Sequence, residues 1–172
     1  MRYLASLIIT VSTVMFLSAV PRAARSDNQV GIAKKTDVKV SLAVVEGYKT
    51  TNSPLHVIIE NISDKPQRHF EEWNSWGYGN LTLEWTDANG KTGNVAKVPG
   101  SWDKNGPSTV VLKPGEALVR EISFDSKLWH GWAAIASGTK LRLKVTYRSA
   151  GRPDSDGWTG EVDAQEKTVT FR

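Results

Sequence analysis

The residues with the most chemical potential are aromatic. Seven tryptophans occur in 172 residues, and Trp73, Trp76 and Tyr78 fall in the stretch Phe70-Glu71-Glu72-Trp73-Asn74-Ser75-Trp76-Gly77-Tyr78-Gly79-Asn80, which is polar, glycine-bearing and without strand or helix periodicity. Aromatic rings in such a loop admit three readings. As a ligand platform, flat rings bury the apolar faces of a sugar while Glu71, Glu72, Asn74 and Asn80 hydrogen-bond its hydroxyls. Trp102, in Gly100-Ser101-Trp102-Asp103-Lys104-Asn105-Gly106-Pro107, would extend that platform. As a plug, the same rings fold back to close the open end of a core. As an exposed patch, they contact another protein. Trp85 continues the alternation of Leu81 and Leu83 and reads as core, and Trp158 is expected to pack over a strand end.

Other chemistries find fewer residues. His56 alternates with strand residues and faces outward, and His69 and His130 fall in expected loops. His69 and Glu71 have no third ligand at metal spacing, and no His-Glu-x-x-His occurs, so no metal site is assigned. Asp154-Ser155-Asp156-Gly157, with Glu161 nearby, and Asp87-Ala88-Asn89-Gly90 each echo part of a calcium loop. Both lack the third oxygen at the expected step, and Asp and Asn bonding their own turn backbone explain them better. Ser75 lacks the first glycine and the strand-to-helix setting of a nucleophile elbow. Glu71, Glu72 and Asp103 supply carboxylates, but nothing fixes a pair across a cleft. Phosphate loops and dinucleotide fingerprints are absent, so the expectation is no catalytic residue and no cofactor. Asn61-Ile62-Ser63 and Asn80-Leu81-Thr82 match the glycan-acceptor pattern.

The elements that must position these residues are strands. Val38, Val40, Leu42 and Val44 alternate with polar or small residues, as do Leu55, Val57 and Ile59, then Leu81, Leu83 and Trp85. Asp87-Ala88-Asn89-Gly90 predicts a tight hairpin, because Asn and Gly tolerate positive φ, with the return strand near Val95 to Val98. Further strands are expected at Thr109 to Leu112, Ala117 to Phe124, Leu141 to Tyr147 and Thr168 to Phe171, with a weaker one around Trp158 to Val162. Lys113-Pro114-Gly115-Glu116 is a turn. Arg120 shares a face with Leu118, Ile122 and Phe124, which suggests a bulge. Only Ser126 to Ser137 carries weak helical character. About eight short strands separated by Gly, Pro, Asn and Asp argue for an antiparallel sandwich.

Four segments then carry a resemblance. Val57-Ile58-Ile59-Glu60-Asn61-Ile62-Ser63-Asp64-Lys65-Pro66, Leu112-Lys113-Pro114-Gly115-Glu116, Gly138 through Tyr147 and Trp158-Thr159-Gly160 resemble the strand-and-turn punctuation of bacterial immunoglobulin-like domains in secreted, mostly uncharacterised proteins. The Pro-Gly-Glu turn and the strands after it are also similar to the bacterial intracellular proteinase inhibitor family. The resemblance spans most of Val38 to Phe171. It implies an immunoglobulin-like β-sandwich and transfers no functional residue.

The N-terminus carries a destination. Arg2 precedes an apolar run from Leu4 to Val20, then Pro21, Arg22, Arg25 and small residues, which reads as a signal peptide over 1–26. Arg22 and Arg25 beyond the run, and the run's near-spanning length, keep an uncleaved membrane anchor as the alternative. Residues 27–36 form a polar lead-in and 37–172 the folded domain. The chain carries 22 Lys and Arg against 18 Asp and Glu, but Arg2, Arg22 and Arg25 lie in the leader, so the domain is close to neutral. A neutral domain has no field to gather polyanions, which excludes nucleic acid as a main partner. With 40% hydrophobic residues and no cysteine, disorder and a disulfide-stapled miniprotein are excluded too. The expectation is therefore an exported, non-catalytic, cofactor-free module, periplasmic, cell-surface or extracellular, with a protein-contact or cell-envelope role. A carbohydrate-binding module and a proteinase-inhibitor-like domain are the alternatives. Its partner would be another envelope protein or a glycan, and a membrane only if the leader is retained.

Overall fold

The computed structural model describes residues 37–44, 54–102, 106–151 and 154–172. The expected leader (1–26) and lead-in (27–36) lie outside these residues, and among the described residues no helix is long and apolar enough to cross a membrane. The fold is all-β and antiparallel. Three strands, β1 (Val38–Ala43), β2 (Leu55–Asn61) and β7 (Ala117–Ile122), form one sheet in the order β1-β2-β7. A six-stranded sheet runs β10 (Gly160–Asp163), β9 (Lys140–Ser149), β4 (Leu81–Asp87), β5 (Thr92–Lys97), β8 (Trp129–His130), with β11 (Lys167–Thr170) also on β9. The remaining two, β3 (Gln67–Phe70) and β6 (Thr109–Leu112), make a ribbon of their own.

Alternation decides which face each strand buries. Along β9, Leu141, Leu143, Val145, Tyr147 and Ser149 point inward while Lys140, Arg142 and Arg148 are exposed. β9 is also the hub of its sheet. One edge pairs with β4 from Leu141 to Tyr147, and the other takes β10 over Thr146 to Ser149 and β11 over Lys140 to Leu143. Between those two partners, Ala164 N–H donates to the Val145 carbonyl at 2.8 Å and keeps the edge satisfied. Val38, Val40 and Leu42 of β1, Leu55, Val57 and Ile59 of β2, and Leu118 and Ile122 of β7 join the same apolar cluster as the inward residues of β4, β5, β9 and β11. The buried faces of the two larger sheets therefore share one core.

Turn chemistry sets the joins. Residues 88–90 connect β4 to β5, with Gly90 at φ 82° and the Asp87 carboxylate accepting from the Asn89 and Lys91 amides, both at 2.9 Å. With Lys91 completing the connection, the expected tight hairpin forms, its positive φ supplied by Gly90 and not by Asn89. At Lys113-Pro114-Gly115-Glu116 the chain leaves the β3–β6 ribbon and enters the three-stranded sheet. There Asn61 closes the join: its N–H donates to the Glu116 carbonyl, its carbonyl accepts from Gly115 N–H, and its side-chain amide donates to the Leu112 and Lys65 carbonyls. That amide is fully buried, which rules Asn61 out as a glycan acceptor in the folded chain.

Several expectations need correction. The segment 126–137 is not helical; it holds a turn, β8 and irregular chain. His69 and His130 lie in strands β3 and β8, not loops. The ladder between β2 and β7 pairs Leu55 with Ile122 through Glu60 with Ala117 without interruption, so there is no bulge at Arg120. Arg120 sits on the inward face as the alternation requires, and its charge is met by a partner described below.

Because Leu143 is fully buried at the middle of β9, Leu143→Ala removes contacts the surrounding sheet cannot restore. It is expected to cost about 3 kcal/mol, read from urea unfolding. Val119→Ala, at a residue 54% exposed on the outer face of β7, is expected to stay within about 0.5 kcal/mol of the parent.

Candidate functional site

The aromatic stretch folds into a corner built by three segments: the chain after β3, the short helix α1 (Ser75–Tyr78), and the chain after β5 up to Trp102. Asn74 is the residue that shapes it. Its carbonyl oxygen caps α1, accepting from Trp76 N–H at 3.1 Å and Gly77 N–H at 3.0 Å. Its amide nitrogen donates to the Ser108 carbonyl at 2.9 Å and the Ser108 hydroxyl at 3.2 Å. Both ends of a fully buried amide are thus used, and the loop after β3 is tied to the segment entering β6. A second tie, Glu71 N–H to the Ser108 carbonyl at 3.2 Å, runs beside it. Gly77 is required here, since a Cβ at that position would run into the Glu71 carbonyl.

Below the rings lies a charged hub. Glu72 takes Lys97 Nζ at 2.7 Å on one carboxylate oxygen and Arg120 Nε at 3.5 Å on the other. Lys97 and Arg120 have side chains only 13% and 18% exposed, so each needs this partner to be held away from water. Arg120 also reaches the Phe70 carbonyl at 3.4 Å, and Lys97 lies 4.6 Å from the centre of the Tyr78 ring and 5.5 Å from that of Trp129. Through these contacts the inward charge on β7 is joined to the aromatic corner.

The predicted site residues separate by role. Trp73 is 59% exposed, its indole N–H bonded to the Glu71 carboxylate at 3.1 Å. Trp102 is 36% exposed and meets Tyr78 edge to face, the ring centres 5.1 Å apart and the planes 71° apart. Tyr78 is half-buried and donates its hydroxyl to the Val98 carbonyl at 2.9 Å. Trp76 is half-buried against Phe70, with centres 6.4 Å apart. The rings do not lie in one plane. Asn74 is committed to the cap and Ser108, and Glu72 to its cations, so neither is left to face a sugar hydroxyl. Asp103 lies outside the described residues. Ser75 opens α1 as an exposed residue.

The remaining motif residues serve the fold. Asp156 pairs with Arg68 at 2.8 Å, Ser155 Oγ accepts from Gly157 N–H at 3.0 Å, and Glu161 lies 3.6 Å from Arg148. His56 faces Glu121 at 3.3 Å on the outer face of the three-stranded sheet. Among the described residues no three His, Asp or Glu side chains converge on one point. Trp85 is buried in the core, and Trp158 is buried against Tyr147 and His69, with ring centres 5.3 and 5.7 Å away.

Sequence reasoning missed Lys97, Ser108, Arg120 and His69 as parts of this region. Arg120 alone left a signal, a cation on the apolar face of an otherwise regular strand.

Asn74→Ala removes the side-chain cap on the Trp76 and Gly77 amides and the side-chain tie to Ser108, leaving only the weaker backbone bond from Glu71 N–H to the Ser108 carbonyl beside it. The expected cost is about 2 kcal/mol, with loss of near-ultraviolet tryptophan ellipticity at temperatures where the far-ultraviolet β signal is intact. Asn74→Asp, which keeps the accepting oxygen, is expected to lose less. No protein-family model, curated protein or solved structure is found to match the chain.

Proposed function

We propose that the chain is an exported, non-catalytic module with an immunoglobulin-like β-sandwich fold, and that it works by protein contact through the corner carrying Trp73 and Trp102. One observation carries this reading: Trp73 stands largely in water on a loop pinned by Asn74, Glu71 and Ser108, and Trp102 stands partly in water with its ring seated edge to face on Tyr78. Exposed tryptophans on a pre-ordered frame are what a contact hot spot requires, because little ordering entropy is left to lose on binding. The apolar run before Pro21 supports export, and the shared core of the two larger sheets supports the sandwich. The carbohydrate reading wants a flat array of rings, and a 71° angle between Tyr78 and Trp102 works against it.

Replacing Trp73 or Trp102 with a photo-crosslinking phenylalanine in the producing cell tests the contact. The expected result is one discrete protein adduct from either position, none from exposed Lys167 on β11, and no change in intrinsic fluorescence with soluble polysaccharides. Trp73→Ala is then expected to weaken the captured pair by about 30-fold, in the range of a central tryptophan at an interface. A fluorescence change with a polysaccharide and no adduct would contradict protein contact.

A further inference from the structure

Among the described strands β3 pairs in a ladder only with β6, and one of its links to the six-stranded sheet runs through a buried imidazole. His69 is 1% exposed and packs beside the stacked pair of Trp158 and Tyr147, whose ring centres are 5.7 and 5.9 Å from its own and 5.3 Å from each other. The surrounding hydrogen bonds assign its tautomer. The Gln67 amide nitrogen donates to the Asp37 carbonyl and the Ser63 hydroxyl, both at 3.1 Å, which turns the Gln67 oxygen toward His69 Nε2 at 3.3 Å. That oxygen only accepts, so Nε2 carries the hydrogen. Nδ1 is left to accept from the Tyr147 hydroxyl at 3.1 Å. Burial holds the Tyr147 hydroxyl protonated, its pKa pushed up to about 12.

The neutral ring therefore has every nitrogen satisfied, and a second proton has no place. It would put a charge in a site shut off from water and force the Tyr147 hydroxyl to turn its hydrogen away from Nδ1. Of the groups facing the ring, Arg120 of β7 opposes the charge and Asp37, just before β1, favours it. Burial is the largest influence and, with Arg120, holds the imidazole down at about 4. Beyond His69, β3 is held by its four-residue pairing with β6, by Trp158 N–H donating to the Arg68 carbonyl at 2.6 Å, by the Arg68–Asp156 pair, by the Gln67 amide on Asp37 and Ser63, and by Arg120 on the carbonyl of buried Phe70. Phe70 follows His69 directly, and the chain then runs into the Asn74 corner.

We propose that His69 is an acid-sensitive latch: protonating its imidazole unseats β3 from the six-stranded sheet and loosens the Trp73 and Trp102 corner that β3 leads into. An opened strand exposes an ordinary imidazole, which binds its proton near 6.5, whereas the seated one binds it near 4. Between those values only the open form is protonated, so the closed form is fully favoured above pH 6.5 and loses ground as pH falls toward 4. The open-to-closed ratio is expected to rise about 300-fold over that span. Under this account, any protein contact made by the corner weakens in acid, yet the latch itself requires no partner.

The test follows the His69 ring resonances and the indole N–H signals of Trp73, Trp102 and Trp158 in the full chain from pH 7 to 3.5, with far-ultraviolet circular dichroism alongside. The expected result is a neutral, Nε2-protonated His69 down to about pH 4 and indole shifts that move together with its titration while the β signal persists. In H69Q the Trp102 and Trp158 indole signals should stay flat across the same range, whereas Trp73, bonded to the Glu71 carboxylate, is read only for the difference from the parent chain. Three results would each overturn the latch: a His69 that titrates near 6.5, indoles that do not respond when it titrates, or identical indole shifts in H69Q, which would assign them to groups other than His69. If H69Q does not fold, coincidence of the imidazole and indole titrations in the parent chain decides the matter.

Discussion

The inward row of β9 is the constraint on which the rest of the molecule depends. Leu141, Leu143 and Val145 are wholly excluded from water, and the same strand pairs with β4 on one edge and with β10 and β11 on the other. An all-β chain without cysteine has no covalent closure, so burial of this row against β1, β2 and β7 has to hold the two larger sheets together. The row ends at Tyr147, and there apolar packing hands over to hydrogen bonding: Tyr147 meets His69, and with it the separate β3–β6 ribbon. The aromatic corner is thus an outgrowth of the core, joined to it through β3 and His69 and through the Glu72 contacts with β5 and β7.

Charge inside this fold is placed to be answered. Glu72 lies in a loop but serves two cations from strands of different sheets, Lys97 on β5 and Arg120 on β7. Removing Glu72 would leave both cations uncompensated in a mostly dry site, which costs more than the pairs themselves contribute, whereas removing either cation leaves one ion pair intact. The outer faces behave differently. Arg142, Lys144 and Arg148 on β9 are matched by Glu166, Asp163 and Glu161 in water-facing pairs, which add little stability each and keep that face soluble.

Strands with clean alternation were readable in the sequence. β1, β2, β4 and β9 start and end within a few residues of where the period of apolar side chains places them, and the Asp87 hairpin forms as its turn chemistry demands. β3 was not readable, because four residues with Arg68 exposed and both His69 and Phe70 buried show no period. β8 has two residues and no pattern at all. For the corner, the sequence identified the aromatic residues but not their roles. Asn74 has the composition of a sugar-binding side chain, and only its place before α1, with Ser108 opposite, makes it a cap and a tie. Such roles arise from contacts between residues 34 apart in the chain, which no local pattern encodes.

If the corner is a rigid extension of the core, its backbone must open as rarely as the sheets beneath it. Native-state amide exchange measures this directly. The account predicts that the capped amides of Trp76 and Gly77 are protected to within about a factor of ten of the Leu143 and Val145 amides on β9, all reporting openings that approach global unfolding. Exchange of Trp76 and Gly77 at the rate of an unstructured peptide, while β9 stays protected, would contradict it.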